Sequence, residues 1–229
     1  MTNGIGRFGV RQYVSPSTLW NNLLAYYPAD NTTTDLKGAK NGTLLNGATY
    51  STGKINDGFS LDGINDSISI SPSFGTNFMT NTKAHSYAAW IYPNNVTIGN
   101  AFIIQCGQSD NGTTMALNTN KLAYWFNGGN SSTISNGSRS ISANAWNHVA
   151  VSYNGSGQVS FYINGVLDST KTASWVNSVT SNITRIGAYM GGILCFNGKI
   201  DEVAIWSKAL NSTEVTELYN GGAGKQYPN

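Results

Sequence analysis

Apolar and polar residues alternate most regularly between Val149 and Asn164. Two apolar series flank the turn residues Asn154–Gly157, and small or polar residues fill the positions between the apolar ones. Because strand side chains point alternately to opposite faces, this alternation gives each arm one apolar face. It predicts a β-hairpin with strands at Val149–Tyr153 and Gln158–Ile163. The apolar positions are Val149, Val151, Tyr153, Val159, Phe161 and Ile163.

Short apolar segments recur along the rest of the chain, with Asn-Gly, Asp-Gly and Gly-Gly sequences between them. Asn and Gly adopt positive φ at low cost, which tight turns between strands require. This spacing is typical of an all-β sandwich. The other predicted strands are Leu23–Tyr27, Gly58–Leu61, Asp66–Ile70, His85–Ile91, Ala101–Cys106, Thr114–Leu117, Lys121–Phe126, Ile183–Ala188 and Phe196–Ile205.

One segment, Ser212–Tyr219, has a helical pattern instead. Asn211 or Ser212 can cap it, Val215 and Leu218 share one face, and Asn-Gly-Gly follows as a stop signal. The acidic residues of this segment, Glu214 and Glu217, are predicted to face solvent. One short C-terminal helix among many strands predicts an all-β protein, a two-sheet antiparallel sandwich.

The surface is polar but carries few charges. Charged residues make up 10 % of the chain, against about 25 % in an ordinary soluble domain. The net charge is +2, and the 13 Lys and Arg residues are scattered, so nucleic-acid binding is not expected. No apolar stretch is long enough for a membrane span or a signal-peptide core, so neither membrane insertion nor export by the standard route is expected.

The two cysteines, Cys106 and Cys195, are far apart in sequence. Their surroundings favour two buried free thiols. A disulfide stays open, because distant strands of a sandwich can be neighbours. A metal pair is disfavoured, because neither cysteine has a CxxC partner or a nearby histidine.

The first 22 residues differ from the repeating strands that follow. They hold six large apolar side chains, more than a solvated linker normally carries. We expect residues 1–22 to form an arm that packs on other subunits, which would allow a homo-oligomer; a frayed tail is the alternative. Residues 23–229 then form the folded domain. The apolar residues are Ile5, Phe8, Val10, Tyr13, Leu19 and Trp20.

A series of motifs, in order, resembles the laminin G-like family of concanavalin A-like jelly-roll domains. Each motif is weak alone, but together they extend over residues 23–222. The resemblance implies two antiparallel sheets and functions that range from sugar binding and adhesion to display on a virion or cell surface. The motifs are Ala25–Asp30, Asp35–Gly38, Asn41–Leu44, Gly58–Gly63, Ser86–Ile91, Trp146–Tyr153, Phe161–Gly165 and Gly198–Trp206.

The resemblance also shows what a catalytic member would need. Glycosidases with this jelly roll carry acidic residues two positions apart on one strand face, where two carboxylates about 5 Å apart act as nucleophile and acid/base. This chain has no such strand. Its nearest acidic pair, Asp201 and Glu202, is adjacent, so the two side chains are predicted to point to opposite faces. An enzyme is therefore not expected.

Jelly rolls of this kind often hold a structural calcium ion, which needs six to eight oxygen ligands. The positions that match the family's site are Asp35 and Asn41 in an early loop and Asp201 in the last strand. The resemblance implies a calcium ion at these residues. The alternative is that Asp201 accepts hydrogen bonds from loop amides while Asp35 and Asn41 cap turns.

Sugar binding requires an aromatic ring for the apolar sugar face and polar groups around it. Trp125, Trp175 and Tyr189 are the candidates, because they lie outside the family's core motifs. Packing at an interface would explain them equally well. The sequence thus predicts a non-catalytic display or adhesion module that binds a glycan or a surface protein. We expect a virion component, such as a phage head or tail decoration protein; the alternative is a bacterial cell-surface or secreted carbohydrate-binding module.

Overall fold

The computed structural model describes residues 17–74, 82–97, 99–108, 111–126, 134–173 and 183–228. Within these ranges the chain forms fifteen strands, one α-helix, α1 (Ser212–Tyr219), and a 3-10 turn (Asn220–Gly222). The strands are β1 (Leu23–Tyr27), β2 (Gly42–Leu45), β3 (Thr49–Thr52), β4 (Asp57–Asp62), β5 (Ser67–Ile70), β6 (His85–Pro93), β7 (Asn100–Gln108), β8 (Asn111–Asn118), β9 (Lys121–Phe126), β10 (Ile134–Ser140), β11 (Asn147–Tyr153), β12 (Gln158–Ile163), β13 (Val166–Thr172), β14 (Thr184–Ile186) and β15 (Asn197–Trp206).

The strands form two antiparallel sheets, which confirms the predicted sandwich. The eight-stranded sheet has the order β13-β12-β11-β6-β15-β4-β3, and β1 pairs with β15 beside this path. The seven-stranded sheet has the order β10-β9-β8-β7-β14-β5-β2. The predicted hairpin is present: β11 pairs with β12, with Val149 opposite Ile163 and Tyr153 opposite Val159.

The main core lies between the two sheets and follows the alternation in sequence. The apolar positions of β11 and β12 all belong to it, as do Ile68 and Ile70 of β5 and Ile104 and Cys106 of β7. Residues between these positions point away from the core, to the outer faces of the sandwich. The alternation therefore assigns a face to each side chain.

A second apolar layer covers the outer face of the eight-stranded sheet. There α1 contributes Val215 and Leu218, which pack with Tyr26 of β1 and Trp206 of β15. Asn211 begins the helix with a capping box: its side chain accepts a hydrogen bond from the Glu214 backbone N–H (3.0 Å), and the Glu214 carboxylate accepts one from the Asn211 N–H (3.1 Å). Among the described residues, no helix is long and apolar enough to cross a membrane.

Glu214 is not solvated, which corrects the prediction for this residue. Its side chain is buried and accepts hydrogen bonds from the Thr18 hydroxyl (2.7 Å) and the Lys208 ammonium (2.5 Å). Glu217 is partly exposed and accepts hydrogen bonds from Ser17 and Lys225. Both glutamates thus join α1 to neighbouring segments.

The boundary between arm and domain after residue 22 is wrong for residues 17–22, since these residues pack on their own chain. Leu19 is fully buried in the layer on the eight-stranded sheet, and its carbonyl accepts a hydrogen bond from the Trp206 indole N–H (2.9 Å). The Trp20 ring stacks on that of Trp206 at 6.2 Å. Residues 1–16, with the other predicted arm residues, lie outside the described residues.

Cys106 and Cys195 are both free and buried, as the thiol interpretation predicts. Cys106 faces the main core from β7, and Cys195 lies in the segment before β15.

Because Leu19 is buried by its own domain, Leu19→Ala should destabilise the isolated protein. Loss of a fully buried leucine side chain costs about 2–5 kcal/mol of unfolding free energy, measured by urea denaturation. Leu36→Ala, at a residue 37 % exposed, is the matched control and should change the free energy far less. Equal effects of the two substitutions would show that residues 17–22 do not stabilise the domain.

Candidate functional site

The outer face of the seven-stranded sheet carries polar residues where the other sheet carries an apolar layer. On β7, Ile104 and Cys106 face the core, so Gln105 faces outward. Gln105 is opposite Thr114 of β8 on one side and opposite Arg185 of β14 on the other. Residues directly opposite each other share a face, with Cβ atoms about 4.5–5.5 Å apart. All three side chains therefore lie side by side.

The register extends this line across the sheet. Arg185 is opposite Ser69 of β5, which is opposite Thr43 of β2. In the other direction, Thr114 is opposite Trp125 of β9. We call this set the cross-strand row. Its members are Thr43, Ser69, Arg185, Gln105, Thr114 and Trp125.

Several polar atoms of the row are buried and have no hydrogen-bond partner among the described residues. They are both amide atoms of Gln105, the indole nitrogen of Trp125 and Nε of Arg185. On β10, the Asn136 Oδ1 atom is in the same condition; Asn136 is opposite Ala123, two residues before Trp125 on β9. Buried polar groups in proteins are nearly always paired. These atoms therefore have unused hydrogen-bonding capacity.

An aromatic cluster adjoins one end of the row. The Phe102 ring on β7 meets the Trp125 ring edge to face at 4.8 Å and the Tyr189 ring edge to face at 5.3 Å. Ala116 and Ala123 lie on the same face and add only methyl groups to it. Phe102, Ala116, Ala123 and Trp125 are buried, so Tyr189 is the partly exposed member of this cluster.

The structure brings together two of the three predicted ligand-binding residues. Trp125 and Tyr189 both contact Phe102, whereas Trp175 lies outside the described residues. Trp125 is only 2 % exposed, so its ring is packed, and its indole N–H has no hydrogen-bond partner. Trp125 and Tyr189 as ligand contacts stay a prediction.

Sequence reasoning missed Gln105, Thr114 and Arg185. Each is a polar residue at an outward position of a strand whose inward positions are apolar, which is a signal in the sequence. That signal does not show which outward residues meet, because the pairing of β7 with β14 joins segments about 80 positions apart. The row is visible only once the register is known.

The side-chain oxygens of the three residues predicted to hold calcium accept hydrogen bonds from the protein's own N–H groups. The Asp201 carboxylate accepts from the backbone N–H groups of Lys54 (2.8 Å), Ile55 (3.0 Å) and Glu202 (2.8 Å). These bonds match the alternative interpretation, in which Asp201 binds loop amides. The carboxylate oxygens that would have to bind the cation are therefore already occupied by N–H donors.

Asp35 and Asn41 are filled in the same way. Asp35 accepts from the N–H groups of Tyr26 and Lys37, both at 3.0 Å, and the Asn41 side-chain oxygen accepts from the Asp35 N–H at 3.0 Å. Within the described ranges, no three His, Cys, Asp or Glu side chains are placed to hold a metal ion. With their oxygen atoms paired in this way, these residues do not fit the calcium ion that the family resemblance implies.

Asp201 and Glu202 lie on the same side of β15, which corrects the prediction of opposite faces. Ile200 and Val203 both belong to the main core, so the two residues between them lie outside it. The cause is a β-bulge: the pairing of β15 with β6 shifts between Asp201 and Ala204, and Glu202 has a φ of 52°. A bulge adds a residue and interrupts the alternation.

Burial changes the acidity of this adjacent pair. Burial raises the pKa of Asp201 to about 7, against the opposing effect of its backbone hydrogen bonds. Burial likewise raises the pKa of Glu202 to about 8, although the Gln226 side chain donates a hydrogen bond to it (2.9 Å). Asp201 is 0 % exposed and Glu202 6 % exposed, so both carboxyl groups are buried.

The chain belongs to the concanavalin A-like lectin/glucanases superfamily, whose model matches residues 62–216. This confirms the resemblance to laminin G-like domains. The match includes every residue of the cross-strand row except Thr43. A search of curated proteins gave no match.

Solved structures with this fold include domain 4 of AbnA, a GH43 extracellular arabinanase from Geobacillus stearothermophilus, in complex with arabinotriose. It has 24 % identity and a TM-score of 0.66 over 86 % of this chain and 97 % of that domain. The binding domain of Paraclostridial Mosquitocidal Protein 1 has 21 % identity and a TM-score of 0.72, over 89 % of this chain and 53 % of that one.

The binding domain of Botulinum Neurotoxin DC, in complex with SialylT, has 19 % identity and a TM-score of 0.68. The match covers 88 % of this chain and 52 % of that one, so this chain spans about half the length of the toxin domains. At these identities the likeness shows the fold.

The raised pKa values of Asp201 and Glu202 predict that the protein loses stability as the pH rises. The folded state holds these protons to pH values of about 7 and 8, whereas the ordinary pKa values are 3.8 and 4.5. Because the folded state binds more protons than the unfolded state, the unfolding free energy falls as the pH rises from 3.8 to about 7 for Asp201 and from 4.5 to about 8 for Glu202. The fall is up to about 1.4 kcal/mol per pH unit for each group. Urea denaturation from about pH 5 to about pH 9 measures this slope.

Glu202→Gln removes one of the two groups and should make the slope shallower. Glu217→Gln, the same substitution at a more exposed glutamate, is the control and should not flatten it. A slope that Glu202→Gln leaves unchanged would contradict the assignment.

Calcium should leave the melting temperature unchanged, because the candidate carboxylates are already filled by backbone donors. An ion bound only to the folded state would stabilise it by about 2.7 kcal/mol at a hundred times its Kd. Differential scanning calorimetry in millimolar CaCl2 and in EDTA gives the comparison. A rise in calcium that Asp201→Asn removes would establish the site that the family resemblance implies.

Proposed function

We propose that this chain is a non-catalytic carbohydrate-binding domain and that the cross-strand row is its binding site. The observation that carries the proposal is the line of buried polar atoms without partners, from Arg185 through Gln105 to Trp125. An unpaired buried polar group costs about 1–3 kcal/mol. A ligand that supplies the missing hydrogen bonds recovers this free energy.

The chemistry of the row matches a polyhydroxyl ligand. The Gln105 amide both donates and accepts, the Trp125 indole and Arg185 guanidinium donate, and the Thr114 hydroxyl does either. Sugar hydroxyls also donate and accept, so they can pair with all of these groups. The Tyr189 ring, which is partly exposed and packs on the buried Phe102 ring, offers an apolar surface for the apolar face of a sugar.

The row contains no acid, histidine or cysteine, so the hydroxyls of Ser69, Thr43 and Thr114 have no general base beside them within the row. The buried acids Asp201 and Glu202 belong to the other sheet; Asp201 accepts backbone hydrogen bonds, and Glu202 accepts one from Gln226 through Oε1 while its Oε2 atom has no partner. Hydrolysis of a glycosidic bond requires two carboxyl groups that flank it. The row can bind a sugar, but it has no groups to cleave one.

Two of the structural neighbours support carbohydrate as the ligand, since their structures contain arabinotriose and SialylT. Another, also a binding domain of Botulinum neurotoxin DC, is in complex with rat synaptotagmin II, which supports a surface protein as the second candidate partner. The present chain has groups for the first kind of ligand in its cross-strand row, so we favour a glycan.

We place this binding function outside the cell, as display or adhesion. A surface with few charges and many Asn and Gly residues suits a phage head or tail decoration protein that contacts glycans of the host surface. A bacterial cell-surface or secreted carbohydrate-binding module is the alternative. Mass spectrometry of purified phage particles separates them, because only a decoration protein co-purifies with particles at fixed stoichiometry.

Gln105→Leu tests the proposed site, because it removes two unpaired polar atoms at similar volume. The wild-type protein should bind at least one glycan on an array that includes arabinotriose and sialylated oligosaccharides. The variant should lose about tenfold or more in affinity by isothermal titration calorimetry, and its unfolding free energy should not fall, because a buried unpaired amide stabilises nothing.

Gln158→Leu is the matched control: it is the same substitution at an exposed residue of β12, on the other sheet. It should leave binding unchanged. If the wild-type protein binds no glycan, or if Gln105→Leu binds as tightly as the wild type, the cross-strand row is not a carbohydrate site.

A further inference from the structure

Arg185 is the one charged residue of the cross-strand row, and it has no acidic partner. Its Nη1 atom donates to the Ser67 hydroxyl at 3.3 Å, and its Nε atom is buried and unpaired. The ion pairs among the described residues join Arg139 to Asp168, Lys208 to Glu214 and Lys225 to Glu217, all away from the row. The positive charge of Arg185 is therefore not neutralised by an ion pair.

Asp62 and Asp66 are the acids near this end of the sheet. The charges of Asp62 and Asp66 raise the pKa of Cys195 and that of Arg185 lowers it, so all three lie near this thiol. Neither acid forms an ion pair with Arg185 within the described ranges. The Asp66 Oδ2 atom accepts a hydrogen bond from the Asp62 backbone N–H at 3.0 Å, and its Oδ1 atom is buried without a hydrogen-bond partner. The guanidinium thus keeps its capacity to bind an anion.

A partly buried guanidinium without a counter-ion is suited to a carboxylate. Its planar fork donates two parallel hydrogen bonds, and such charge-assisted bonds are roughly twice as strong as neutral ones. The unpaired Gln105 amide is directly opposite Arg185 and can donate to the same carboxylate or to the adjoining hydroxyl.

The distance across the row indicates the size of the ligand. Arg185 and Trp125 are three strands apart, which corresponds to about 14 Å at the usual spacing of neighbouring strands. One sugar ring does not extend so far. A ligand that satisfies both ends of the row is an oligosaccharide.

We infer that the cross-strand row binds an acidic oligosaccharide, with the Arg185 guanidinium holding a sugar carboxylate beside the Gln105 amide. This inference rests on the proposed function, because it names the class of glycan bound at the same site. The carboxylate can come from a uronic acid or from a sialic acid, and the chemistry of recognition is the same for both.

Matched pairs of probes isolate the carboxylate. Trigalacturonate is compared with its methyl ester, and 3′-sialyllactose with lactose, by isothermal titration calorimetry. The wild-type protein should bind the acidic member of one pair about 10- to 100-fold more tightly than its neutral counterpart. This preference should shrink as NaCl is added, because salt screens the interaction between charges. The pair that shows it identifies the source of the carboxylate.

Arg185→Gln should abolish the preference for the acidic probe while leaving weak binding of the neutral one. Arg185→Lys keeps the charge but loses the planar fork, so it should retain part of the preference. Lys121→Gln is the matched control, since it removes one positive charge from the same face, outside the row, and should leave the preference intact. Thermal unfolding of each variant checks that it is folded.

Equal affinity for the acidic and neutral probes, a preference that survives Arg185→Gln, or no binding of either acidic probe would each overturn the inference. If neutral glycans still bind, and Gln105→Leu weakens that binding, the proposed function is retained. Loss of every glycan from the array would remove both.

Discussion

The core between the two sheets decides what every other part of this molecule can do. Each strand gives that core one face only, because neighbouring side chains point in opposite directions. Val149, Val151 and Tyr153 on one sheet and Ile104 and Cys106 on the other are fixed by this burial. The residues between them face outward, where Ala150 joins the second apolar layer and Gln105 joins the cross-strand row.

The two sheets use their outer faces differently. On the eight-stranded sheet, α1 and residues 17–22 add a second apolar layer, in which Trp206 stacks on Trp20 and donates its indole N–H to the Leu19 carbonyl. This face adds stability to the fold. The outer face of the seven-stranded sheet has polar side chains in line instead, with a small aromatic cluster at one end. Gln105 and Trp125 are buried on this face, so the proposed binding rests on their unmet hydrogen bonds and not on exposed surface.

Local signals made much of this architecture predictable. The β11–β12 hairpin and α1 follow from the periodicity and end signals of short segments, and both appear at the predicted residues. Features that depend on distant partners were missed. Leu19 was assigned to an arm because its partner Trp206 is 187 positions away, and the Glu202 bulge was missed because a glutamate gives no sign of positive φ.

The candidate site was predicted only in part, for the same reason. Trp125 and Tyr189 were singled out as aromatic residues outside the core motifs, and they do lie together. The polar residues of the row could not be grouped, because Arg185 and Gln105 become neighbours only through the register of β14 with β7. Residue types are visible in the sequence, whereas adjacency across a sheet is set by the whole fold.

The contrast between two buried polar clusters gives the strongest argument about function. Asp201 is buried with three backbone donors, and each donor joins β15 to a loop or to the bulge, so this carboxyl group organises the fold. Gln105 is equally buried, yet neither of its amide atoms has a partner. Buried polar side chains are usually paired, as Asp201 is. Single unpaired atoms also occur on the eight-stranded sheet, at Tyr26, His148 and Glu202, whereas four such atoms belong to the one cross-strand row. An unpaired amide next to an unpaired guanidinium lowers the stability of the free protein, and a ligand that completes their hydrogen bonds accounts for both.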